Sequence, residues 1–178
     1  LDTARIHLQV DIGFGDVVPP QALELVYPTL LDFEAPRLLG YTPETVIAEK
    51  FEAIVVHDMA NTRMKDFLDI WILAQGREFS GELLARAIAA TFRRRRTELP
   101  LSKPVALTPA FHSSAAKQLQ WRGYLRKARV QGIAPPLVQV AAQIEAFVMP
   151  VVEALVTGNA FECRWPPGGP WERIEEAR

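Results

Sequence analysis

The sequence predicts an α+β protein, because strand-type and helix-type periodicities occupy separate blocks of the chain. Apolar residues alternate first, at Ile6, Leu8, Val10 and Ile12, with His7, Gln9 and Asp11 between them. From Thr42 onward the apolar spacing becomes three and four and stays so to the end of the last helix. Prolines and glycines cluster between these blocks and after the second.

The first strand, over 6–12, ends at Gly13 and Gly15, and Asp16-Val-Val-Pro-Pro reads as a loop. Glu24–Tyr27 and Leu30–Leu39 have the composition of short strands interrupted by prolines. Helices follow at 43–58, 62–75, 81–95, 114–128 and 136–156. Thr42 is a good N-cap and Pro43 suits the first helical position, so the first helix starts sharply. Asn61 or Thr62 can cap the second. Thr97–Pro109, with its three prolines, is a connector. The last helix presents Ile144, Phe147, Val148, Val151, Val152 and Leu155 to a core, with Pro150 expected to kink it. Trp165-Pro-Pro-Gly-Gly-Pro reads as loop. These elements divide the chain into strands over 1–41, a helical domain over 42–157 and a loose tail over 158–178.

The chain has 178 residues, with 20 Lys+Arg against 21 Asp+Glu, enough for one domain and without a global nucleic-acid signature. A single cysteine, Cys163, excludes an internal disulfide framework and a multi-cysteine zinc site. No apolar run is read as reaching the roughly 20 residues of a membrane span, so a soluble, cytoplasmic protein without a membrane partner is expected. The chain opens Leu1-Asp-Thr-Ala-Arg, without an initiating methionine, directly before the strand pattern. Together with so thin a sheet, this creates the expectation that further strands and helices belong before Leu1.

Charge placement points to chemistry. The apolar stripe of the first helix is Val46, Ile47, Phe51 and Ile54, and the helical period places Lys50 inside it. A lysine there must snorkel out or meet an anion. The second helix turns Met64, Phe67, Leu68, Trp71 and Ala74 to the core. Asp66 and Asp69 share its other side with Lys65, and Ile70, Ile72 and Leu73 make that side apolar one turn later, so the helix is expected to be covered nearly all round. One reading is a structural ion pair of Lys50 with Asp66 or Asp69. The other is a site: metal-dependent phosphoryl transfer needs carboxylates on a sheet face and a cation over a triphosphate, and Asp11, Lys50, Asp66 and Asp69 are of the right types.

Four segments carry a resemblance, in order: Asp11-Ile-Gly-Phe-Gly-Asp-Val-Val-Pro-Pro, Tyr27-Pro-Thr-Leu-Leu-Asp, Ala48-Glu-Lys-Phe-Glu-Ala-Ile and Arg63-Met-Lys-Asp-Phe-Leu-Asp-Ile. Over about residues 1 to 155 the chain resembles the AbiEii/AbiGii-type nucleotidyltransferase toxins, which are similar to polymerase-beta-like nucleotidyltransferases. The resemblance implies the remnant of a nucleotidyltransferase-type sheet followed by a helical bundle. It further implies transfer of a nucleotide from an NTP, with Mg2+, onto an acceptor that in some members is tRNA, and a cognate antitoxin as partner. Position by position, Asp11 looks like the third acidic, metal-binding residue of the sheet. Lys50 looks like the motif lysine near the triphosphate, Asp66 and Asp69 like the acidic pair of the last motif, and Arg63 and Lys65 like the basic residues beside them.

One departure stands out. The family's first motif, a Gly-Ser or Gly-Gly turn followed by Asp-x-Asp, has no match between Leu1 and Arg178. Asp11-Ile-Gly-Phe-Gly-Asp16 has the wrong spacing and follows its strand. The chain by itself is therefore expected to lack the main metal site and to be inactive, the full-length protein being the enzyme. The competing reading is a truncated, non-catalytic relative that serves as a binding or interaction domain.

Arg93, Arg94, Arg95 and Arg96 end the third helix, where cations favour the helix dipole; the resemblance adds a nucleic-acid phosphate patch. Lys117, Arg122, Arg126 and Lys127 form a second basic group. His57 and His112 read as surface or cap residues, and Trp121 and Tyr124 as packing residues rather than base-stacking ones.

Overall fold

A computed structural model describes residues 22–128 and 135–174, and they form an α+β arrangement dominated by helices. The strand expected at 6–12 lies outside the described residues. Antiparallel strands β1 (Leu23–Val26) and β2 (Arg37–Gly40) form a hairpin, with Leu23 opposite Gly40 and Val26 opposite Arg37. The strand expected over Leu30–Leu39 is thus shortened to its end. Pro28 and Pro36 flank the excluded part, and a Tyr27 N–H bond to the Pro36 carbonyl at 2.9 Å closes the loop. Apolar Leu25, Val26, Phe33, Leu38 and Leu39 of this hairpin are exposed.

Helix α1 (Pro43–His57) is capped by Thr42, whose hydroxyl accepts the Thr45 N–H. It buries Ile47, Ala48, Phe51 and Ile54 and leaves Val46, expected in the core, partly exposed. Helix α2 (Met64–Gly76) buries Met64, Phe67, Leu68, Ile70 and Ala74, but Ile72 is exposed, so it is not covered all round. Helix α3 (Gly81–Arg95) packs along α1, with Phe92 tilted on Phe51 at 5.9 Å. The connector after it holds a short helix, α4 (Pro109–His112), which the sequence did not announce; its Phe111 stacks on Phe67 at 5.4 Å. Helix α5 (Ala115–Lys127) buries Trp121, whose indole N–H donates to the Pro135 carbonyl.

Helix α6 (Leu137–Thr157) runs unbroken through Pro150. Against expectation, its 21 residues, with a mean hydropathy of 1.6, are long and apolar enough by length and composition to cross a membrane. Yet Ile144, Phe147, Val148, Val151 and Val152 are buried in the core, against α2 and α3 among others, which identifies α6 as the core helix of the bundle.

The segment expected to be a loose tail is instead packed over 163–173. Strands β3 (Phe79–Ser80), β4 (Cys163–Trp165) and β5 (Glu172–Arg173) form a small antiparallel sheet in that order. Trp165 is 1% exposed and donates its indole N–H to Ala74 O at 2.8 Å, while Trp171 donates to Phe147 O. Glycines permit this closure. A Cβ on Gly81 would stand 2.6 Å from the Phe161 carbonyl, and one on Gly169 would stand 2.4 Å from the Trp165 ring.

Candidate functional site

The α1–α2 pair is brought together by apolar packing, and that packing carries Lys50 onto two carboxylates. Lys50 Nζ lies 3.0 Å from Asp66 Oδ1 and 2.6 Å from Asp69 Oδ2. Asp66, only 2% exposed, also receives the Arg63 Nε at 2.5 Å, while Lys65 stands 3.7 Å from Asp69. Burial disfavours the charged forms of both Lys50 and Asp66. For Lys50 the bonds to Asp69 and Asp66 outweigh it and raise the pKa. For Asp66 the bonds to Arg63 and Lys50 outweigh it and lower the pKa. Both groups are therefore held ionised.

Neither Asn61 nor Thr62 caps α2, whose N-cap is Arg63 without a side-chain cap bond, but Asn61 orders the turn before it. Its buried side-chain oxygen accepts the Arg63 N–H at 2.7 Å, and its carbonyl accepts Lys117 Nζ from α5 at 2.7 Å. Lys117 is thereby removed from the expected second basic patch: it is 7% exposed and lies 4.8 Å from the Phe111 ring centroid. Burial lowers its pKa. His112, expected as a surface or cap residue, lies in the last turn of α4 but is buried, and its pKa is shifted down, by burial first and then by Lys103.

A cleft of about 670 Å³ opens beside the cluster, with Lys50 and Arg63 on one wall, Arg94 and Arg95 on another, and Val46 and Ala53 among its apolar lining. The Arg93–Arg96 run is not uniform. Arg94 Nη2 bonds Glu49 at 2.7 Å, and Arg95 bonds Glu49 and lies 3.2 Å from Glu52. Arg93 and Arg96 are exposed, and Arg96 takes the left-handed conformation that ends α3. Glu49 and Glu52 flank Lys50 in the quoted motif, and sequence reasoning gave them no role. Their three-residue spacing was the available signal, because it puts both on the face of α1 turned to α3. Tyr124 was likewise read as packing alone. Its phenol is shifted up by burial first and then by the Asp69 charge, with Lys50 opposing, so it stands within the electrostatic reach of the cluster.

Among the described residues no group of three His, Cys, Asp or Glu side chains is placed to hold a metal ion. Asp66 and Asp69 do not fit that role as they stand, since both are bonded to cations. Asp11, expected as the metal ligand, lies outside the described residues, as does its relation to Lys50.

Searches of curated proteins and of solved structures gave no match. A family model described as "Nucleotidyl transferase AbiEii toxin, Type IV TA system" matches residues 1–144, which include the Lys50 cluster, the cleft and its arginine wall. With residues 1–144 of its 178 matched, the chain belongs to the AbiEii family of nucleotidyl transferase toxins of type IV toxin–antitoxin systems.

Proposed function

We propose that this protein transfers a nucleotide from an NTP to an acceptor, with Lys50 as the cation that receives the triphosphate in the cleft. The observation that carries the reading is Lys50 held charged between Asp66 and Asp69 at the cleft wall, in a chain of this family. Phosphoryl and nucleotidyl transfer depend chiefly on positioning and on fixed charges aimed at phosphate oxygens. A lysine locked by two carboxylates offers its remaining N–H without reorganising. Arg63, bonded to Asp66 through Nε, directs further donors to the same region, and Lys65 adds an outer charge. Asp66 and Asp69 act by orienting these cations. Asp11 and Mg2+ belong to the part of the reading that needs the family's first motif, which residues 1–178 do not contain. Accordingly 1–178 alone should bind magnesium–NTP weakly. The acceptor is taken to be tRNA, and the partner a cognate antitoxin.

The test is a screen of labelled NTPs against total tRNA, using protein that includes any coding sequence upstream of Leu1. Transfer of label, abolished by Lys50→Met, is the expected result. An absence of transfer with every NTP, together with no Gly-Ser or Gly-Gly and Asp-x-Asp segment upstream, would leave the non-catalytic binding domain as the correct reading.

A further inference from the structure

The arginine wall of the cleft is built differently from the lysine wall. Arg95 joins two carboxylates through their Oε2 atoms, and each has a further partner on Oε1. Glu49 also accepts the Thr91 hydroxyl at 3.1 Å and Arg94 Nη2 at 2.7 Å, and Glu52 accepts the Thr97 hydroxyl at 2.6 Å. Breaking a buried ion pair is costly when it leaves a charge without partners. Here each carboxylate keeps a partner on Oε1 if Arg95 leaves, so neither charge is left wholly unpaired, while the Oε2 of each gives up the arginine. Arg95 is also the outermost member of the network, 44% exposed where Glu52 is 5% exposed.

The geometry points to Arg95 as a binding residue for a phosphodiester of the acceptor strand, with Glu49 and Glu52 as resting counter-ions that hold its guanidinium until the phosphate takes their place. This rests on the nucleotidyl-transfer reading and adds where the acceptor is gripped. A guanidinium accepts the exchange readily, because its planar fork fits phosphate oxygens as it fits carboxylate oxygens. An acceptor strand fits better than the nucleotide's own phosphates. Arg93 and Arg96 flank Arg95, are exposed, and take part in no ion pair among the described residues, so the cations extend from the cleft onto the surface. A row of that kind suits a string of phosphates more than one compact triphosphate.

The experiment measures binding of a labelled short oligoribonucleotide and of inorganic tripolyphosphate to the 178-residue chain, without metal, at several salt concentrations. Arg95→Met should weaken oligoribonucleotide binding about fivefold to tenfold and reduce its salt slope by about one. Tripolyphosphate binding should change by less than about twofold, since it uses the Lys50 wall. Because Arg95→Met also removes a structural contact, Glu49→Gln supplies the opposite sign: the amide oxygen can still accept from Thr91 and Arg94, while the amide NH2 in place of Oε2 releases Arg95, and oligoribonucleotide binding should tighten about threefold. No measurable oligoribonucleotide binding at low salt, an unaltered salt slope in Arg95→Met, or weaker binding in Glu49→Gln would each overturn the assignment. Loss of tripolyphosphate binding with oligoribonucleotide binding intact would overturn it too, in favour of the nucleotide. None of these readouts needs catalysis, so a failed transfer assay and a failed Arg95 assignment are told apart.

Discussion

Lys50 and Lys117 are both lysines withdrawn from solvent in one helical bundle, and the protein resolves them in opposite ways. Lys50 meets two carboxylates and is held charged, its pKa raised despite burial. Lys117 meets a backbone carbonyl and an aromatic face, and burial lowers its pKa. The first is a preorganised charge beside a cleft; the second is a clamp on the turn that launches α2. Burial alone therefore does not decide a lysine's charge. The partner set does.

The largest effect should come from breaking the paired site. Lys50→Met leaves Asp66 buried with only Arg63, and Asp69 with a distant Lys65. Chemical denaturation should show a loss of about 2–3 kcal/mol, below the full cost of an unpaired buried charge because Arg63 remains. Lys117→Met should cost no more than about 1 kcal/mol, since relief of desolvation offsets a carbonyl left without its donor. Equal losses at the two positions would refute the distinction.

A pH titration of stability separates the two lysines by sign. Lys50 has a folded pKa above 10.5, so its contribution is fully present below that value and is lost as pH rises through the raised folded pKa. Lys117 has a folded pKa below 10.5, so between its folded pKa and 10.5 the unfolded chain binds more protons and stability rises with pH. Melting temperatures across the alkaline range should then fall more steeply in Lys117→Met than in wild type, and less steeply in Lys50→Met. Asp66 supplies the acid limb: its contribution is present above 3.8 and is lost as pH falls through its lowered folded pKa. Asp66→Asn should flatten that limb.

These two lysines also show how far the sequence could be read. Lys50 was legible because an apolar stripe with one charge in it asks for a counter-ion, and Asp66 and Asp69 stand at helical spacing on the next element. The five long helices were legible for the same reason of periodicity. Lys117 was not, because Lys117, Arg122, Arg126 and Lys127 look alike on a helix and only the docking of α5 against Asn61 buries the first of them. Residues 158–174 failed similarly. Proline and glycine announce irregular backbone, but not that Trp165 and Trp171 fold back over Phe147 at 4.8 and 5.6 Å. Glu49 and Glu52 were hidden by polarity: their partners, Thr91, Arg94, Arg95 and Thr97, lie some forty residues away, and sequence patterns do not reach that far.

The smallest structural effect should belong to Lys65, which makes it the sharpest probe of function. Its side chain is 70% exposed and stands 3.7 Å from Asp69, already bonded to Lys50 at 2.6 Å. An exposed pair of that kind contributes between nothing and about 0.5 kcal/mol, so Lys65→Ala should leave the denaturation midpoint almost unmoved. Lys50→Met changes both the fold and the charge over the cleft, so a loss of activity there has two explanations. Lys65→Ala has only one. If Lys65 contributes to triphosphate binding, the variant should raise KM for the NTP severalfold in protein that shows transfer, at unchanged kcat and unchanged stability, the pattern of a lost uniform binding contact. Unchanged KM would assign Lys65 to the solvated face of α2 and confine the triphosphate to Lys50 and Arg63.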